Sequence, residues 1–153
     1  MLCCFQQNLT AATWTNFLGD LRWGTAANWS PNTSPNANGA VADFQVNVPG
    51  ATVIANTSSS GGNNTPLLTM LKLGDTNGSD ALTINKGTPA ATNSRLHFTN
   101  STGSVLIEKR GNGNDTINVG QIRTYNTNLD ITFVGNTGSL TIDCDIAQQS
   151  TPT

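Results

Sequence analysis

Charge is scarce in this chain. It holds 7 Lys and Arg and 9 Asp and Glu in 153 residues, a formal net charge of −2. Charged residues make up 10%, where ordinary globular proteins carry roughly 25%. The densest cationic spot is Lys109-Arg110. Nucleic acid is thereby excluded as a partner, because neutralising phosphates takes a basic patch. Long apolar runs are also missing. None approaches the ~20 residues that cross a bilayer, so no membrane span is expected. The opening MLCCF has no charged leader and only a very short apolar run, so it does not read as an intact signal peptide.

Reactive side chains are equally few. With one histidine, His97, and no CxxC spacing, a zinc site is not expected. There is one glutamate, Glu108, and no G-x-S-x-G, HExxH or P-loop pattern. Asp143 and Asp145 are two apart on one strand face. Glycoside cleavage needs carboxyls facing each other across a cleft, so this pair reads as a solvated face. The expectation is a non-enzymatic protein without a cofactor. The three cysteines are Cys3, Cys4 and Cys144. Neighbouring cysteines rarely bridge each other, so one of the first two is a candidate to reach Cys144. The other is left as a thiol for an intermolecular bond. A buried free Cys144 is the alternative.

What the chain does have is 20 Asn, 23 Thr and 11 Ser, with a steady supply of Val, Ile and Leu. The aliphatic residues alternate with polar ones at period two, the signature of half-buried strands. Leu140, Ile142, Cys144 and Ile146 alternate with Ser139, Thr141, Asp143 and Asp145. Leu129-Ile131-Phe133, Leu96-Phe98, Leu82-Ile84 and Phe44-Val46-Val48 do the same, and 51–56, 67–73, 104–108 and 116–124 are further strand candidates. Gly, Asn and Pro clusters punctuate them. A loose repeat from Leu67 onward, in units of about 20–27 residues, fits solenoid rungs. The fold expected is all-β: a β-solenoid, a β-helix-like stack of short strands, with a jelly-roll-like β-sandwich as the alternative. The expected division is an N-terminal segment 1–13, one β-rich domain over 14–146 and a tail over 147–153. The loops at 31–39 and 56–66 read as exposed, mobile surface.

All three tryptophans, Trp14, Trp23 and Trp29, lie in WTNFLGDLRWGTAANWS, residues 14–30. Two readings compete. One is a carbohydrate platform; the other, preferred here, is a plug in which the three rings and Phe17 cover one end of a thin aliphatic core. The stretch from Trp14 to Phe44 resembles the opening segment of bacterial surface proteins with autotransporter-associated β-strand repeats. The resemblance is carried by Trp14, Gly19, Trp23, Asn28-Trp29, the 31–39 loop and Ala42-Asp43-Phe44, and LTMLKLGDTNGSDALTINKG resembles their rungs. It covers 14–87, and 88–146 in style. It implies an exported, non-enzymatic, passenger-like surface protein.

Two segments look like calcium loops. GNGNDTIN (111–118) resembles one RTX-type nonapeptide and DTNGSD (75–80) has oxygen-ligand spacing, which makes Asp75, Asn77 and Asp115 the calcium candidates. A single nonapeptide cannot share ions with stacked copies, and Lys86 stands where DTNGSD needs a bidentate glutamate. Both therefore read as turns, with no metal. Eight Asn-x-Ser/Thr sequons, at Asn8, Asn28, Asn32, Asn56, Asn63, Asn77, Asn100 and Asn114, are the glycosylation candidates. The function expected is a structural subunit of an extracellular or cell-surface bacterial assembly (fibre, layer or adhesin). Its partners would be identical subunits and glycans, with MLCCFQQ as a donated strand. A carbohydrate-binding module using an exposed Trp is the alternative.

Overall fold

The computed structural model describes residues 10–45, 52–54, 65–75, 80–86, 94–135 and 138–150. It is a β-solenoid of about four turns. Each turn lays one strand in each of three sheets. The first turn is β3 (Ala40–Asp43), β4 (Thr52–Ile54) and β5 (Leu67–Leu68). The second is β6 (Met70–Leu73), β7 (Thr83–Asn85) and β8 (Arg95–Thr99). The third is β9 (Val105–Lys109), β10 (Asp115–Asn118) and β11 (Gln121–Tyr125). The fourth is β12 (Leu129–Phe133), β13 (Leu140–Ile142) and β14 (Asp145–Gln149). Ahead of them, β1 (Thr10–Trp14) pairs parallel with β3, and β2 (Trp29–Ser30) pairs antiparallel with β1. The first sheet thus runs β12-β9-β6-β3-β1-β2, the second β13-β10-β7-β4 and the third β14-β11-β8-β5. Among the described residues there is no α-helix, and one 3-10 turn spans Ala26–Asn28.

Parallel pairing at constant register stacks like on like. Ala12, Ala42, Leu71, Ile107 and Ile131 form one inward ladder in the first sheet. Ile84, Ile117 and Ile142 form another in the second sheet, and Leu96, Ile122 and Ile146 a third. All but Ile131 and Ile146 belong to, or pack against, one core that continues from turn to turn. The outward ladders hold the amides, hydroxyls and charges, such as Thr83-Thr116-Thr141 and Asn85-Asn118. Equivalent positions are Val41, Met70, Leu106 and Asp130, so the repeat is uneven, and the turn from Met70 to Leu106 exceeds the 20–27 residues expected from Leu67 onward.

Several boundaries differ from those expected. Leu140–Ile146 is two strands with a corner at Asp143-Cys144, and 116–124 is two strands with a corner at Val119-Gly120. Likewise 67–73 breaks at Thr69, whose buried hydroxyl accepts from Gly39 N–H at 2.8 Å and donates to Thr99 O at 2.8 Å, tying three turns together. Thr10–Trp14 lies inside the sheet of its own chain rather than in a separate segment, and β14 continues to Gln149, past the tail expected from 147. In the 31–39 loop Pro35 and Gly39 are buried. Phe44 follows the end of β3 rather than starting a strand; 46–50 and most of the 56–66 loop lie outside the described residues.

Turns approach so closely at one corner that side chains are excluded. A Cβ on Gly74 (φ +112) would stand 1.6 Å from Arg110 O, and one on Gly111 (φ +71) 1.9 Å from Asp75 O. Gly135 (φ +57) has open space around it. Gly74→Ala is therefore expected to cost more than about 3 kcal/mol, through backbone separation and strain together. Gly135→Ala is expected to cost about 1–2 kcal/mol, from its left-handed conformation alone. Urea denaturation of the two variants checks the difference.

Candidate functional site

Three places depart from the repeating pattern: the aromatic cap at the N-terminal end, a charged corner inside the core, and the uncovered last turn. The cap is built where the first sheet narrows to Ala12, Ala40 and Ala42, all buried. Small side chains leave room over the end of the core, and large rings fill it. Trp14, Trp23, Trp29 and Phe44 pack with ring centroids 5.0–5.5 Å apart, in tilted and edge-on pairs. The tryptophans are 0–1% exposed. None of them is the exposed carbohydrate platform weighed from sequence. Trp23 Nε1 donates to Pro35 O at 3.1 Å, and Trp29 Nε1 donates to Trp23 O at 2.7 Å. The loop between β1 and β2 is organised by Asn28, itself buried. Its Oδ1 accepts from Leu18 N–H at 3.1 Å, and its Nδ2 donates to Asp20 Oδ1 at 2.5 Å and to Arg22 O at 3.2 Å. Burial alone would raise the Asp20 carboxyl. Hydrogen bonds from Arg22 N–H, Thr25 and Asn28 outweigh it and hold the group below its ordinary value.

Asn28 is consequently not a glycan acceptor in the folded chain, because its amide is inside. Asn32 and Asn114 are exposed; Asn114 Oδ1 also accepts from Ser139. Asn100 is half-buried, with its Nδ2 given to Ser104 O at 2.9 Å. Asn8, Asn56, Asn63 and Asn77 lie outside the described residues, as do Cys3 and Cys4. The cap loop also presents Phe17 and Leu18, 81% and 58% exposed; Phe17, expected from the sequence to cover the core end with the tryptophans, instead faces outward. Phe17 borders an open groove of about 490 Å³ with Thr15, Ala27, Trp29, Ser30, Pro31 and Asn32.

The charged corner joins β9 to β10. Val105, Ile107 and Lys109 alternate inward on β9, and Asp115 and Ile117 do so on β10. Lys109 and Asp115 thus meet inside, Nζ to Oδ2 at 3.2 Å, with side chains 0% and 1% exposed. Lys109 Nζ also donates to Arg110 O at 2.6 Å and Gly111 O at 3.4 Å, while Asp115 Oδ1 accepts from Leu82 N–H at 2.9 Å. Asp75, buried on the previous turn, adds a second carboxyl. Of the calcium candidates, Asp75 and Asp115 do converge; Asn77 lies outside the described residues. The carbonyls and carboxylate that would face a cation are already turned on the Lys109 ammonium. Burial raises the Asp115 carboxyl; Leu82 N–H and Lys109 oppose the shift, and the charge of Asp75 adds to it. The same alternation that reads as core, Val105-x-Ile107-x-Lys109, was the available signal for this pair. Among the described residues no group of three His, Cys, Asp or Glu side chains is arranged to hold a metal.

At the other end, β12, β13 and β14 each have a strand on one side only among the described residues. Leu129, Leu140, Ile142 and Cys144 are half-buried against the core, and Ile131, Phe133 and Ile146 are 41%, 53% and 52% exposed. They stack in register on Ile107, Lys109 and Ile122, and no further turn stacks on them among the described residues. Cys144 carries a free thiol at the β13–β14 corner. Burial pushes its pKa up; the backbone groups of Val119 and Ile122 oppose this, and Asp143 and Asp145 add to it. Those two carboxylates are exposed on the outer faces.

On the outer face of the third sheet, His97 packs edge-on to Tyr125 at 5.3 Å, with its Nδ1 3.2 Å from the Tyr125 hydroxyl and 3.3 Å from Thr65 Oγ1. Burial and the nearby Arg123 and Arg95 lower its pKa to about 4. No family model, curated protein or solved structure matches the chain.

Two outcomes are expected. Trp23→Ala opens the aromatic cap and costs about 3–5 kcal/mol, read by urea denaturation with a red shift of the remaining tryptophan emission. His97 stays neutral in the fold while its unfolded counterpart takes a proton near pH 6.5. Its contribution is therefore present above 6.5 and is lost as pH falls towards 4. In denaturation series at pH 7.5 and 4.5, His97→Gln should remove part of the acid-side loss, on the order of 2 kcal/mol.

Proposed function

We propose that this chain is a structural subunit of an extracellular bacterial surface assembly and that it associates with copies of itself. On this reading it belongs with the surface proteins carrying autotransporter-associated β-strand repeats, and the Trp14–Phe44 stretch is their opening cap. One observation carries the reading. Among the described residues the solenoid is covered by aromatic rings at one end, and at the other β12, β13 and β14 are paired on one side only, with Ile131, Phe133 and Ile146 exposed. Open edges and exposed core side chains are a ready template for another β-structure. Covering them contributes about 25 cal/mol for each Å² of apolar surface removed from water. The outer faces support a scaffolding role. Ladders of Thr and Asn give a weakly charged surface that packs closely and accepts sugar, with Asn32 and Asn114 as the exposed sequon asparagines among the described residues. A carbohydrate-binding module would now have to rest on Phe17 beside its groove, since the indoles are covered.

The test is assembly in solution. The parent chain is expected to form multimers on a sizing column and rods or clusters in negative stain. Phe133→Asp should release monomers with an unchanged β-type circular dichroism spectrum. Removing residues 1–8 separates the two contacts: loss of multimers assigns the donated strand, and their survival assigns the open last turn. A parent chain that stays monomeric at high concentration overturns self-association.

A further inference from the structure

We propose that Lys109 and Asp115 condense into an intramolecular amide bond, a covalent staple across the corner between β9 and β10. The inference stands on the geometry of the pair and is independent of the assembly reading.

Four features prepare the step. The reacting groups are in contact, Nζ to Oδ2 at 3.2 Å, and both are sealed from water. The N–H bonds of Lys109 are directed at Arg110 O and Gly111 O, and its contact with Asp115 Oδ2 is an ion pair rather than a directed hydrogen bond. Those two N–H bonds hold the nitrogen in place beside the carboxyl. Leu82 N–H, 2.9 Å from Oδ1, stands where negative charge develops when the carbonyl carbon is attacked. Finally, a buried ion pair is a costly arrangement, because both charges leave water, and an amide removes both at once.

The reaction needs no co-reactant. The Lys109 ammonium passes a proton to the Asp115 carboxylate, leaving an amine beside a carboxylic acid. The lone pair on Nζ attacks Cγ and forms the Nζ–Cγ bond, with charge gathering on Oδ1 beneath Leu82 N–H. A second proton moves from the nitrogen to Oδ2, the Cγ–Oδ2 bond breaks, and Oδ2 departs as water. One ammonium and one carboxylate give one amide and one water, with no change in oxidation state. Burial, together with the charge of Asp75, raises the Asp115 carboxyl and so favours the acid form that the step uses. Asp75 acts here as a positioning residue through its charge.

Intact mass under denaturing, reducing conditions tests the bond on the parent chain itself, so no variant has to fold. The expected mass is one water below that of the sequence. Proteolysis should yield a branched peptide joining Lys109 to Asp115. Lys109→Arg and Asp115→Ala should show full mass. Asp115→Asn should lose ammonia instead and reach the same product as the parent. Asp75→Asn should slow the appearance of the light species, followed over time after refolding, while the circular dichroism spectrum stays unchanged. A folded parent chain at full mass, or a lost water that maps to any other residues, overturns the proposal.

Discussion

In-register stacking of parallel strands sets the rest of this structure. Successive turns lie about 4.8 Å apart, so a residue meets its equivalents above and below as nearest neighbours. Aliphatic side chains then form continuous inward ladders, from Ala12 to Ile131 in the first sheet and from Leu96 to Ile146 in the third. The core is narrow, and each turn buries its apolar side chains mostly against its neighbours. A turn lacking a neighbour on one side is therefore incomplete, whatever its own composition.

The two ends answer that constraint differently. At the N-terminal end the ladder shrinks to alanine and rings from Trp14, Trp23, Trp29 and Phe44 fill the space above it. The loop that carries Trp23 and leads to Trp29 is held by Asn28 and Asp20, polar groups satisfied by one another and by backbone. At the C-terminal end the last ladder residues are exposed in place. Among the described residues the two ends of the stack therefore differ, rings over one and exposed ladder residues at the other.

Stacking also decides how charge is tolerated. On the outer face Asp43, Lys72 and Glu108 alternate in sign from turn to turn, in reach of water. Burial would raise the Glu108 carboxyl, but Gln45 and Arg110 bond to it and hold it below its ordinary value. Such exposed pairs contribute little. Inside, Lys109 and Asp115 have no water, and each depends on the other and on carbonyl and amide groups of a corner where glycines let the turns nearly touch.

The fold class was legible in the alternation of small runs such as Leu129-x-Ile131-x-Phe133, because period two marks a strand with one buried face. The corners were harder. Ile142, Cys144 and Ile146 keep the same parity across the β13–β14 corner, so alternation runs unbroken through a bend. At Val119–Ile122 the parity slips, and that slip marks the corner in the sequence itself. Composition and periodicity by themselves determined that the chain is all-β, weakly charged outside and aliphatic inside, since these follow from side-chain chemistry and local geometry. Only the tertiary structure decided that strands pair one turn away, that the tryptophans and Asn28 are sealed, that Lys109 meets Asp115, and that Ile131, Phe133 and Ile146 are exposed. Each of these depends on which distant residues become neighbours, and a period-two pattern carries no information about its partner.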